Sequence, residues 1–146
     1  MPAVARNRSV PNIVVSDSDC DRLTDLATAS LERLPEVAEE LLSEMERARV
    51  VSEDKVPADV VRMGSTVTFR SDAGTDGEQH ELTETLVYPA DEDSDAHKLS
   101  VMTPVGVALL GVREGQSITY RARDGRRHAL TVIEVLDHPP PGQPAA

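Results

Sequence analysis

Between residues 16 and 51, apolar side chains return every three or four positions. Leu23, Leu26, Ala27, Ser30, Leu31 and Leu34 mark one helical stripe, and Val37, Ala38, Leu41, Leu42, Met45, Ala48 and Arg49 mark a second. Glu36, Glu39, Glu40, Ser43, Glu44 and Arg47 fall largely on the other side of the second helix. Pro35 breaks the first pattern and suits the first turn of the next helix. Ser16 or Asp17 can cap the first helix, with Asp19 and Asp21 in its opening turn, where the positive end of the helix dipole favours carboxylates. So short a connection between two amphipathic helices predicts an antiparallel helical hairpin over residues 12–51. Arms of roughly 15 residues give it a length of about 22 Å. Ile13, Val14 and Val15 read as a short extended piece before it, and residues 1–11 as a flexible lead.

Ser52 to Pro57 is polar and closes on proline, which predicts a linker over 52–59. Beyond it the period drops to two. Val67 and Phe69 alternate with Thr66, Thr68 and Arg70, a Gly/Asp-rich turn covers 72–77, and Leu82 to Tyr88 and Lys98 to Met102 read as further strands. Pro104 to Leu110 is short and apolar and is closed by Gly111, the pattern of a buried helix with a glycine after its last turn. Ser117 to Ala122 and His128 to Leu136 flank Asp124-Gly125, a hairpin turn. Residues 60–137 are thus expected to fold as a strongly bent antiparallel sheet on one short helix, and the chain as a whole as an α+β protein. The proline-rich residues 138–146 read as a flexible tail.

The hydrophobic share of 39% and charged share of 28% fit a folded protein rather than a disordered one. Phe69, Tyr88 and Tyr120 are the only aromatic residues, so the core must be aliphatic and a stacking platform for bases is not expected. A net charge of -11 repels phosphate backbones and favours a basic protein surface as partner. Cys20 stands alone, which excludes an internal disulfide. No secretory pattern or apolar run of about 18 residues is seen, so a cytoplasmic protein with no membrane partner is expected.

A family resemblance enters at Leu99 to Gly111, LSVMTPVGVALLG, where a strand ends in a Thr-Pro pair and leads into a small helix with Leu and Gly near its end. This resembles the C-terminal domain of the Gre transcription elongation factors. Asp59 to Ser65, Thr85 to Pro89 and the short helical hairpin resemble the Rnk type of that family, whose name links it to nucleoside diphosphate kinase. The resemblance implies an FKBP-like fold for the sheet domain and a coiled-coil character for the hairpin. It implies RNA polymerase as partner, with DNA met only indirectly in the transcription complex. Gre factors carry a long finger into the polymerase secondary channel, and its acidic tip helps hold a catalytic metal. Their C-terminal domain docks at the channel rim.

Met102, Thr103 and Pro104 are accordingly the expected polymerase contacts. Met102 stands where Gre factors have an aspartate, which removes that charge; Thr103 and Pro104 also suit a helix cap and first turn. Glu32, Arg33 and Glu36 mark the hairpin tip; they could be a remnant of the metal-holding tip, but a solvated helix end is favoured, because the hairpin is short and Arg33 sits between the acids. Asp91 to Asp95 reads as a solvated acidic loop that could meet a basic surface. Asp17 to Asp21 lacks the Gly and Glu of a calcium loop, having Arg22 and Thr28 instead, and His80, His97, His128 and His138 have no ligand spacing. No phosphate-binding or nucleophile motif is found. No cofactor or metal is therefore expected. The expectation is a non-catalytic, monomeric regulator that competes with Gre factors. The alternatives are a transcript-cleavage factor, which needs the long finger, and a peptidyl-prolyl isomerase, which needs more aromatic residues than the chain has.

Overall fold

The computed structural model describes residues 13–72, 80–121 and 125–136. The expected tails, most of the 72–77 turn, and Ala122 and Asp124 of the second turn lie outside them.

A short strand β1 (Val14–Ser16) runs into helix α1 (Asp17–Ala29), and residues 30–34 turn the chain into helix α2 (Pro35–Arg47). Ser16 caps α1, its hydroxyl accepting from the Asp19 amide at 3.1 Å. Pro35 opens α2 in the first turn, where its missing N–H costs nothing. Each helix has 13 residues and so is about 20 Å long. After α2 the chain forms β2 (Arg49–Val51), which pairs in parallel with β1, Val14 opposite Arg49 and Ser16 opposite Val51. Residues 49–51 carry no alternating pattern, and so this second foot of the helical pair was not foreseeable from the sequence.

Five further strands make one sheet: β3 (Thr66–Ser71), β4 (His80–Val87), β5 (Lys98–Ser100), β6 (Ser117–Arg121) and β7 (Arg127–Leu136), in the order β5-β4-β3-β7-β6. Helix α3 (Pro104–Leu109) follows β5. The sheet is mixed, which corrects the expected all-antiparallel arrangement: β4 and β5 run parallel. A parallel neighbour requires a crossover. Residues 88–97 provide it with two 3-10 turns, Pro89–Asp91 and Ser94–Ala96, and a left-handed His97 at φ 58°. Between β3 and β7 the register slips so that Ile133 is the unpaired residue, a bulge that bends the long strand.

Both halves share one core. Leu23, Ala27, Ala38, Leu41 and Met45 from the helices join Val61, Phe69, Leu109, Leu110, Leu130 and Val132 from the sheet half in a single buried cluster. At about 1.5–3 kcal/mol for each large side chain buried, this joint is a principal source of stability. The helical pair therefore lies against the sheet domain along α2. The reason is that the apolar stripe of α2 has two neighbours to cover, α1 and α3. Gly111 secures the joint: it has φ 81°, its amide donates to the Val61 carbonyl at 2.8 Å, and a Cβ there would overlap the Ile13 side chain.

Candidate partner-binding surface

The segment from Ser100 to Gly106 is held from within. The buried Ser100 hydroxyl accepts from the Met102 amide at 3.0 Å, and the Ser100 carbonyl accepts from the Thr103 hydroxyl at 2.8 Å. That hydroxyl in turn accepts from the Gly106 amide at 3.0 Å, while the Thr103 carbonyl accepts from Val107 at 2.9 Å. Gly106 is required: a Cβ would overlap the Ser100 carbonyl oxygen and lie 2.8 Å from Val101 Cα. The Met102 side chain is 5% exposed and packs into the core, so it anchors the loop from beneath. Thr103 and Pro104 are part-exposed at the loop's crest.

Pro104 also forms one wall of a cleft of about 400 Å³ lined by Glu36, Val37, Glu39 and Glu40 of α2 and by Val107 and Arg121. Glu36, at the expected hairpin tip, and Pro104, an expected polymerase contact, thus border the same cleft. Glu32 and Arg33 are exposed on the turn and do not line it. A neighbouring inner slot of about 40 Å³ shares Glu40, Pro104, Val107 and Arg121 with the cleft and is lined further by Ile13, Glu44, Arg47, Ala108, Val112 and residues 118–120. Burial pushes the Glu44 carboxyl up, opposed by Arg47, whose guanidinium is 2.8 Å away. The floor is apolar and the α2 wall acidic.

A second cluster ties the start of α1 to the sheet domain. Arg62 pairs with Glu53 at 2.6 Å, and the Ser18 hydroxyl donates to Glu53 at 2.9 Å, so the 3-10 turn Glu53–Lys55 is pinned at both sides. Arg22 lies over the Tyr88 ring, 5.2 Å from its centroid. Burial raises the Asp19 pKa against the pull of Arg62, and burial together with the Asp19 charge raises that of Tyr88.

Among the described residues no group of His, Cys, Asp and Glu is arranged to hold a metal ion. In the acidic loop Asp91 to Asp95 every residue is exposed, and Asp93 is used internally, its carboxylate accepting from the amides of Asp95 and Ala96. Cys20 is a free, half-buried thiol on α1. No helix among the described residues is long and apolar enough to cross a membrane. Sequence reasoning missed Glu39, Glu40 and Arg121 as site residues. The first two read as an ordinary polar helix face, and only the packing of α2 on α3 turns that face into a wall.

Comparison with known proteins places these features in a family. Residues 56–137 match the family model "Transcription elongation factor, GreA/GreB, C-term", and residues 11–51 match "Rnk N-terminus". The chain is 39% identical to the regulator of nucleoside diphosphate kinase of Escherichia coli K12, over 90% of this chain and 93% of that one. It is 34% identical to the GreA elongation factor of Roseiflexus castenholzii, over 66% of this chain and 58% of that one. A solved GreA/GreB structure from Nitrosomonas europaea superposes with a TM-score of 0.64 at 36% identity, covering 86% of this chain and 98% of that chain.

Proposed function

We propose that this chain, which belongs to the GreA/GreB transcription elongation factor family and carries the Rnk-type N-terminal module, is a non-catalytic regulator that binds RNA polymerase at the rim of the secondary channel. The observation that carries the reading is the crest at Thr103 and Pro104. Its backbone is fixed by Ser100, Gly106 and Met102 before any partner arrives. A rigid contact loses little conformational freedom on binding, which is the general advantage of preorganisation. Met102, the third expected contact, serves from below by holding the two exposed residues in position.

Binding without catalysis follows from the reach of the helices. A carboxylate assists a bound Mg²⁺ only within about 2 Å. Helices of about 20 Å lying against the sheet domain do not carry Glu32 or Glu36 far beyond the crest. A protein that occupies the rim and cannot stimulate cleavage competes with Gre factors that can. The cytoplasm, where the polymerase works, is the corresponding location.

The test is a pull-down with core RNA polymerase. Thr103→Arg with Pro104→Ala is expected to abolish capture while the folded state keeps a cooperative thermal transition. In a backtracked elongation complex the native protein is expected to yield no cleavage product and to slow cleavage by an added Gre factor. Cleavage by the protein alone, lost in Glu32→Ala/Glu36→Ala, would instead establish the tip as catalytic.

A further inference from the structure

The cleft of about 400 Å³ beside the crest has two unlike sides. Val107, 4% exposed, and the half-buried Val37 and Pro104 give it an apolar floor. Glu36, Glu39 and Glu40 stand exposed along the α2 side. Among the described residues Arg121 alone brings a positive charge to the lining. Its guanidinium donates to the Gly125 carbonyl at 3.0 Å and forms no ion pair with the three acids.

Carboxylates three and four residues apart on one helix repel one another. Glu36 lies in the first turn of α2, where the positive end of the helix dipole offsets its charge. Glu39 and Glu40 lie beyond that turn, and among the described residues neither forms an ion pair. Their charge reaches further along the helix: burial raises the Glu44 carboxyl, Arg47 opposes the rise, and Glu40 adds to it.

Two uncompensated carboxylates beside an apolar floor match one kind of side chain, a methylene stem with a cationic head. Lys and Arg lay their stems on apolar surface and keep the charge at its polar edge. A volume of this size holds a long side chain, not a segment of strand or helix. Pro104 belongs both to the crest and to the cleft, so a partner seated on the crest also covers the cleft.

We propose that the cleft between α2 and Pro104 receives one lysine or arginine side chain of the protein that docks on the crest, its stem against Val37 and Val107 and its head at Glu39 and Glu40. A side chain enclosed in this way is the kind of anchor that carries a large share of an interface's energy. That the anchored protein is RNA polymerase rests on the docking reading.

The test has two arms. In the first, N-acetyl-lysinamide, N-acetyl-argininamide and the neutral N-acetyl-citrullinamide are titrated into the ¹⁵N-labelled full chain. The two cations are expected to give saturable amide shifts in residues 36–40 and 105–108, absent with the citrulline compound and absent in Glu39→Gln/Glu40→Gln. In the second, affinity for core RNA polymerase is measured across a salt series. Glu39→Gln/Glu40→Gln is expected to weaken binding at least tenfold and to flatten its salt dependence. Glu32→Gln/Glu46→Gln removes the same charge from exposed positions outside the cleft and is expected to change affinity by less than about twofold. Thermal transitions check that both variants fold.

No shifts with either cation, shifts elsewhere, equal shifts with citrulline, or equal losses in the two variant pairs overturn the proposal. So does a dimer of the native chain that Glu39→Gln/Glu40→Gln dissolves, since the occupant is then a second copy. If polymerase is captured through Thr103 and Pro104 while Glu39→Gln/Glu40→Gln binds as the native chain does, the cleft assignment falls and the docking reading stands. If the cations bind as expected and polymerase is not captured, the cleft assignment stands and the docking reading falls.

Discussion

Two turns in this molecule lead into a helix through an X-Pro step, Leu34-Pro35 before α2 and Thr103-Pro104 before α3, and they are built in opposite ways. At Thr103 the backbone is extended, φ -135° and ψ 158°, and the hydroxyl both caps the helix and ties back to Ser100. At Leu34 the backbone takes φ -134° and ψ 63°, there is no side-chain cap, and the residue is 40% exposed. One proline enters a corner braced by side chains, the other a turn where the Leu34 amide donates to the Ser30 carbonyl at 2.8 Å. The corner at Thr103 holds its shape through side chains and the turn at Leu34 through its backbone.

Substitutions can sharpen or break this contrast. The largest effect is expected at Gly106→Ala, where the new methyl has no room between Ser100 and Val101: a loss of about 3 kcal/mol, read by urea unfolding. A loss below about 1 kcal/mol would mean that the corner yields and is not braced. Thr103→Ala removes one cap and is expected to cost about 1 kcal/mol by the same measurement, with weaker capture of polymerase.

A pH series tests the third helix start. Ser16 caps α1 as Thr103 caps α3, but the first turn there includes the buried Asp19, whose folded pKa lies above the ordinary value near 3.8 because of burial. The folded state thus keeps its proton to a higher pH than the unfolded chain does. Asp19 therefore withdraws stability as pH rises from about 3.8 through its raised value, and restores it on acidification. Asp19→Asn should lose less stability than the native protein between pH 4 and pH 7, in parallel urea titrations. The smallest effect belongs to the turn at Leu34: Glu32→Ala/Glu36→Ala should change stability by less than about 0.5 kcal/mol and leave capture by polymerase intact.

Much of the braced corner was legible in the sequence, because its determinants are local. Thr103, Pro104 and Gly111 lie within nine positions of one another, and each announces a cap, a first turn or a helix end, whereas the close approach at Gly106 shows only in the fold. The Ser16 cap and the helix start at Pro35 were legible for the same reason. What escaped was set by distant contacts. The parallel pairing of β4 with β5 depends on how residues 88–97 fold back, and their acidic composition suggests only a solvated loop. The meeting of Glu36 with Pro104 depends on α2 lying down on α3, which an amphipathic stripe permits but does not dictate. Edge position was equally hidden: nothing in Ser117 to Arg121 distinguishes an outer strand from an inner one until the sheet order is known.

The parallel pairing of β1 with β2 has an evolutionary consequence. It clamps both feet of the helical pair, with the Arg49 amide donating to the Ile13 carbonyl at 2.8 Å, so the foundation is independent of what happens at residues 30–34. Length can then be added or removed at the top by insertion or deletion alone. One heptad in each arm would raise the top by about 10 Å, and even doubling the enclosed loop would add only about 0.6 kcal/mol of closure entropy. The module is in this sense telescopic, and a lineage could change its reach without refounding the domain beneath.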